Sequence, residues 1–192
     1  MPATSPLLFL DFDGVLVLQN ASKTRQIAEA LKTIGSGKGA IEEFQDLWPG
    51  LFERRARDYL KALHHEFQLT YCLTSPWAQW IDKPTMVKLL RLGGLEFVAS
   101  RLHSRWEIAP PDQATSRYAA ITHWLKLNGT NGAPWWVLDA ESSGASQLDW
   151  PQEIQTRTIV CFRDVGLTDF ESERLRQALK ANSASGSTGH EH

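Results

Sequence analysis

The chain lacks several features that would fix its class at once. Only two of its 192 residues are cysteines, Cys72 and Cys161. Both sit inside apolar runs that read as strands, so buried reduced thiols are expected rather than a disulfide framework or a metal cage. No apolar run reaches the roughly 18 residues needed to span a bilayer. The N-terminus carries no basic leader, and its short apolar stretch Leu7–Leu10 runs directly into acidic residues, which is not a secretory pattern. Charge is nearly balanced, with a formal net of -2. The molecule as a whole therefore has no strong pull towards nucleic acid or anionic membrane, although a local basic surface is still allowed. These absences predict a soluble, cytoplasmic protein without a membrane partner, and its length suits one domain, expected over residues 1–180.

What is present alternates between two periods. Residues 6–12 are apolar up to Asp11 and suit a buried parallel strand, with Gly14 permitting a sharp exit. Ile27, Leu31 and Ile34 recur at helical spacing and predict a helix over 23–34, stopped by Gly35, Gly37 and Gly39. Phe52, Ala56, Tyr59, Leu60, Leu63 and Phe67 form the clearest helical stripe, leading into a strand over 69–74. Pro84 opens a helix closed by Gly93-Gly94, and a short strand is expected over 96–99. Tyr118, Ile121 and Trp124 mark a further helix. Strands follow over 135–138, ending at Asp139, and over 158–162. Thr168 and Glu171 have capping-box spacing before a last helix through Leu175 and Leu179, and a Ser/Gly-rich tail from 181 reads as disordered. The alternation predicts an α/β fold, a three-layer Rossmann-like parallel sheet with helices on both faces, and a small helical insertion at about 20–50.

In such sheets ligands bind beyond the carboxyl ends of the strands. Three expected strands end there in polar residues: Asp11 with Asp13, Thr74 with Ser75, and Asp139 with Glu141. Asp11 and Asp13 are two apart, and carboxylates so close repel unless a cation lies between them or one holds a proton. Magnesium prefers oxygen ligands and keeps waters that a substrate phosphate can displace, so it suits this pair. The plain alternative is a solvated acidic turn, which the flanking apolar runs on both sides disfavour.

The string Leu8-Phe9-Leu10-Asp11-Phe12-Asp13-Gly14-Val15-Leu16 resembles the first motif of the haloacid dehalogenase (HAD) superfamily. The resemblance implies that Asp11 attacks phosphorus to form an aspartyl-phosphate, and that Asp13 protonates the leaving group and then activates water. Tyr71-Cys72-Leu73-Thr74 resembles the second motif, whose hydroxyl binds a phosphoryl oxygen. Arg117 stands where the third motif has a cation near a helix start, although the family more often uses Lys there, and Arg is not a neutral exchange. Trp135-Trp136-Val137-Leu138-Asp139-Ala140-Glu141 resembles the fourth motif but has Ala140 where many members carry a second Asp, a role Glu141 or Asp149 could take. The resemblance thus implies Asp11, Asp13, Thr74 and Arg117 as catalytic residues and Asp11, Asp13, Asp139 and Glu141 around a magnesium ion. It covers residues 6–180. The Trp-rich pattern and Gly166-Leu167-Thr168 resemble a small-HAD subgroup found in some bacterial and RNA-repair-associated proteins.

The function implied is a magnesium-dependent phosphoester hydrolase with a small cap, and so an open site able to admit a bulky ester. Trp77 and Trp80 follow the second motif and are candidates either for stacking on a substrate or for core packing. Lys83, Lys88, Arg91, Arg101 and Arg105 form a basic stretch that would either recruit a nucleotide or nucleic-acid end or serve as a solvated face. His64, His65, His190 and His192 form no convincing ligand set and read as surface residues. The main competing class is a HAD-like binding or regulatory module with weak or no catalysis, which Ala140 and Arg117 motivate. A phosphoacceptor receiver domain is disfavoured because the acids lie on the first strand, and a sugar transferase with a D-x-D site is disfavoured by the motif's early position. Substrate identity, phosphatase against phosphotransferase, and oligomeric state are not legible in the sequence.

Overall fold

The computed structural model describes residues 5–18, 21–108, 116–130, 132–141, 150–162 and 164–185. Five strands, β1 Leu7–Leu10, β2 Thr70–Leu73, β3 Leu102–Glu107, β4 Trp135–Ala140 and β5 Thr158–Cys161, form one sheet in the order β3-β2-β1-β4-β5. Every pairing is parallel, and the first strand is central. Leu10 pairs with Leu73 on one side and with Leu138 on the other. That register brings Asp11, Thr74 and Asp139 to one level at the carboxyl edge. The ladder continues into them: Thr74 N–H donates to the Leu10 carbonyl (2.9 Å) and Asp11 N–H to the Leu138 carbonyl (3.0 Å).

The four residues of β1 alternate between two apolar layers. Leu8 and Leu10 join a large cluster with Leu60, Tyr71, Leu73, Leu89, Leu138 and Leu175. Leu7 and Phe9 join a smaller one with Val137, Ile121, Trp124, Trp150 and Ile154. The large layer is covered by α1 Ala21–Gly35, α2 Arg54–Phe67, α3 Lys83–Leu92, the one-turn α4 Glu96–Ala99, and α7 Asp169–Ser185. The small layer is covered by α5 Arg117–Asn128 and the one-turn α6 Gln152–Gln155.

The helix ends follow local chemistry. The Glu53 carboxylate accepts from Ala56 N–H (2.7 Å) to start α2, and Asp82 accepts from Thr85 N–H (3.0 Å) to start α3, with Pro84 in its first turn. Helix α2 stops where Gln68 turns left-handed (φ 55) and its N–H caps the His64 carbonyl. At the start of α7, Thr168 N–H donates to Glu171 (3.1 Å), as the capping-box spacing predicted.

Three expectations need correction. Residues 96–99 are not a strand but helix α4. Leu95, Val98 and Ala99 are buried at helical spacing, and the edge strand lies further on, at β3. Helix α7 continues through Ser185, so 181–185 are helical, and the rest of the tail, with His190 and His192, lies outside the described residues. His64 is not a surface residue. On the inner face of α2 its Nδ1 lies 3.1 Å from the buried Tyr71 hydroxyl, while His65 is exposed.

The insertion is a helix and a 3-10 turn, Ile41–Leu47, and it does not stand apart. Ile27, Leu31, Ile41 and Trp48 belong to the large cluster, and Trp48 Nε1–H donates to the Ile41 carbonyl (2.8 Å). Gly35 permits the contact at the end of α1, where an added Cβ would lie 1.7 Å from the Trp80 carbonyl oxygen. Lys88 on α3 pairs with Glu42 of the turn. No helix among the described residues is long and apolar enough to cross a membrane.

Candidate active site

The site begins where β1 ends. The Phe12 carbonyl accepts from the N–H groups of Val15, Leu16 and Val17, so the chain coils immediately after Asp11. Gly14 supplies the left-handed residue of that turn (φ 77). Asp13 is therefore already in the turn rather than on the strand. Its carboxyl remains beside Asp11, and its pKa is raised to about 6, first by burial and then by the Asp11 charge. Arg117 and a hydrogen bond with Trp77 act in the opposite direction.

Asp11 is fully buried, and Asp139 nearly so. Both meet one cation. Arg117 Nη1 lies 2.9 Å from Asp11 Oδ2 and 2.8 Å from Asp139 Oδ1. Ser116 places the arginine by capping α5, its hydroxyl accepting from Ala119 N–H (3.3 Å), which leaves Arg117 as the first helical residue. The alternative cap, Thr115, lies outside the described residues. Burial alone would lower the Arg117 pKa, but the two carboxylates outweigh it and the pKa is raised. The cation is thus fixed as such by its partners. Both contacts are made by a single nitrogen, a geometry that an ammonium can also adopt, so the exchange of Arg for Lys is chemically small here.

The sequence-predicted residues therefore separate into two groups. Asp11, Asp13, Thr74, Arg117 and Asp139 converge. Thr74 is buried, and its hydroxyl has no hydrogen-bond partner among the described residues. Glu141 does not join them. Strand β4 continues through Ala140, which pairs with Cys161, and Glu141 stands exposed beyond it. Asp149 lies outside the described residues.

Magnesium, implied by the resemblance, can be weighed against this donor set. The donors are all oxygen, and the charge of Asp11 acting on Asp13 is a repulsion that a divalent cation would relieve. Among the described residues no three His, Cys, Asp or Glu side chains form a metal-holding group. Magnesium is ordinarily held by one or two carboxylates with waters and phosphate, and Asp11 with Asp139 meets that smaller requirement.

The structure decides between the alternatives left open at two neighbouring places. Trp77 is buried against Phe12 and Phe52 (ring centres 5.3 and 6.3 Å apart), and it hydrogen-bonds Asp13, so it supports the site rather than stacking on substrate. Only its position just after the second motif hinted at this. The basic stretch is largely committed elsewhere. Lys88 pairs with Glu42, Arg91 with Glu96 (3.2 Å), and Lys83 donates to the His103 carbonyl (2.9 Å). Arg101 is tied to Ser5 and to the Gln68 carbonyl at the opposite edge of the sheet.

This geometry can be set beside known proteins. A family model described as the HAD domain in Swiss Army Knife RNA repair proteins matches residues 7–171. No curated protein and no solved structure matches the chain. The matched span runs from the first residue of β1 into α7 and includes every converging residue described above. The chain belongs to the family of HAD domains of Swiss Army Knife RNA repair proteins, within the HAD-like hydrolase superfamily.

Proposed function

We propose that the protein is a phosphoester hydrolase that works through an aspartyl-phosphate on Asp11, with phosphorylated nucleotides or nucleic-acid ends as its substrate class. The observation that carries this reading is the Arg117 bridge between Asp11 and Asp139 at one level of the sheet. A buried carboxylate paired with a buried cation is held in one orientation, as an attacking oxygen must be.

The chemistry follows from the residues. An Asp11 oxygen bonds to phosphorus as the bond from phosphorus to the leaving oxygen breaks. Asp13, protonated in part near neutral pH because its pKa is about 6, gives its proton to that leaving oxygen. The resulting Asp13 carboxylate then takes a proton from water, which attacks phosphorus, releases inorganic phosphate and restores Asp11. The Thr74 hydroxyl donates to a phosphoryl oxygen. Trp77 keeps Asp13 in place. A bound magnesium ion, held by the Asp11 and Asp139 carboxylates with the Asp13 backbone carbonyl, would neutralise charge on the phosphoryl group. The insertion at about 20–50 acts as a minimal cap and leaves the site open to a large ester.

The test is a panel of nucleotides, sugar phosphates and phosphorylated oligonucleotide ends with magnesium, run on the wild type and Asp11→Asn. Turnover that vanishes in Asp11→Asn while ligand binding persists is the expected result. Wild-type turnover retained in Asp11→Asn would rule out the covalent mechanism. A second reading, a binding module without catalysis, is favoured by Ala140 in place of a second acid. Phosphorylated ligands that bind near Asp11 and are never hydrolysed would establish it.

A further inference from the structure

Among the described residues six large apolar side chains are exposed, and four of them, Leu18, Phe162, Val165 and Phe170, lie at the carboxyl edge of the sheet. The other two, Leu92 and Leu127, stand apart on α3 and α5. Single exposed apolar residues are ordinary, but a concentration at one edge calls for a cause. Phe162 is 62 % exposed, Val165 57 % and Phe170 65 %.

These side chains belong to two segments that are joined. Phe162 stands one residue past Cys161, the partner of Ala140. Its carbonyl accepts from Val165 N–H (3.1 Å) and Gly166 N–H (2.9 Å), which turns the chain back. Leu167 N–H then donates to the Val15 carbonyl (2.9 Å), in the turn that follows Asp13. At Gly166 (φ +72) an added Cβ would lie 2.8 Å from the Val15 oxygen and 2.9 Å from Leu18 Cδ2. Leu18 is thereby seated against the turn that carries Phe162 and Val165. Phe170 extends the rim in the first turn of α7, with the Arg174 guanidinium 5.7 Å from its ring centre.

We propose that this apolar rim is a platform for the nucleobase of a phosphorylated nucleotide, with Phe162 as its stacking surface. The proposal rests on the hydrolase reading and narrows its substrate class. An ester with its phosphorus at Asp11 must project its alcohol portion over the strand ends. Strand β5 is two strands from β1, about 10 Å at ordinary strand spacing, which is within reach of a base whose own phosphate sits at Asp11. Every base offers a π-face to an aromatic ring irrespective of its identity. A base-free sugar phosphate offers hydroxyls, which gain nothing from Phe162 and Val165. The planar cation at Phe170 favours the same kind of ligand.

The experiment compares kcat/KM for adenosine monophosphate, as its 3′ and 5′ isomers, with that for ribose phosphate. It uses wild type, Phe162→Ala and Phe162→Trp, all with magnesium. Phe162 is exposed, so both variants should fold, which their Tm would check. The nucleotide preference should fall about tenfold in Phe162→Ala, mainly through KM, and return in Phe162→Trp. An equal change for both ligands, or none, overturns the platform. If the wild type hydrolyses neither ligand, the hydrolase reading is what fails, and equilibrium binding of the same ligands decides the platform. A nucleotide advantage of about tenfold that is lost in Phe162→Ala supports it, and no advantage overturns it. Sedimentation adds one further outcome: a wild-type dimer that dissociates in Phe162→Ala would make the rim a self-association surface and overturn the proposal.

Discussion

The two faces of the sheet differ in how they are covered. On one, α1, α2, α3, α4 and α7 enclose the large cluster that includes Leu10, Leu60 and Leu73. On the other, α5 and α6 with Trp124, Trp150 and Ile108 enclose the smaller cluster around Phe9. The bridging cation, Arg117, comes from the thinner side, as the first residue of α5, while Asp11, Thr74 and Asp139 come from the sheet itself. The thick face holds the sheet together. The thin face sets where Arg117 stands, so stability and site geometry should separate under mutation.

The largest expected effect is on the bridge itself. Arg117→Met leaves Asp11 and Asp139 buried without their shared cation. Loss of one partner from a buried ion pair costs about 3–5 kcal/mol, and turnover should fall by about 10²–10³-fold. Arg117→Lys should recover much of the stability, because one nitrogen makes both contacts. Urea denaturation with a phosphatase assay measures both, and a Met variant as stable as the wild type would remove the bridge from the account.

A matched pair of core truncations divides the two faces. Leu60 on α2 and Ile121 on α5 are both fully buried, and each should lose about 2–5 kcal/mol on conversion to Ala. Only Ile121→Ala, one helical turn from Arg117, should also lower turnover per folded molecule. Equal losses of turnover in the two variants would show that the faces are not separable.

A pH titration sharpens the contrast at the site. The Asp13 pKa is raised from 3.8 to about 6, so the unfolded chain gives up this proton first. The contribution of this group to stability is full below about pH 4 and is lost as pH rises through 6, by about 3 kcal/mol in all. Asp13→Asn should lack that slope in urea denaturation from pH 4 to 7 with EDTA present. Parallel curves for the two proteins would contradict the assignment.

The smallest effect lies far from the site. Gln68 is held left-handed (φ 55) at the end of α2, beneath the opposite edge of the sheet. Gln68→Gly should relieve that strain and stabilise by up to about 1 kcal/mol, with turnover unchanged. A rise in Tm with altered kcat would mean that this end of the sheet is coupled to the catalytic edge.

Much of this was legible in the sequence, for physical reasons. Strands β1, β2 and β4 are short apolar runs that end in polar residues, a mark that a buried parallel strand leaves, and β5 is a short β-branched run, TIVC. Strand β3 leaves no such mark, because Ser104, Arg105 and Glu107 are exposed on an edge, while the adjacent Phe97 and Val98 of α4 imitate a strand. Asp11, Thr74, Arg117 and Asp139 were legible because each ends a strand or starts a helix at a recognisable place, and Asp13 because it follows Asp11 by two residues just before Gly14. The contact of Trp77 with Asp13 and the shared rim of Leu18 and Phe162 were not, since both join segments that only the folded chain brings together. Exposure of Phe162 and Phe170 also leaves no local mark, as the same residue types fill the core elsewhere.

The hydrogen bond from Leu167 to Val15 has a consequence for the order of assembly. It ties the turn after Asp11 to a segment made long after that turn. A nascent chain that has emerged only as far as β3 can pair β1 with β2, and so already holds Asp11 and Asp13 side by side. It has neither Arg117 to balance them nor Gly166 to receive Leu18. Central placement of the first strand therefore makes the carboxyl edge a late part of this sheet to close, through contacts of long sequence separation that form slowly. Until α5 and α7 arrive, the two acids and the apolar residues beside them face solvent, and a chaperone would meet the site before any substrate does.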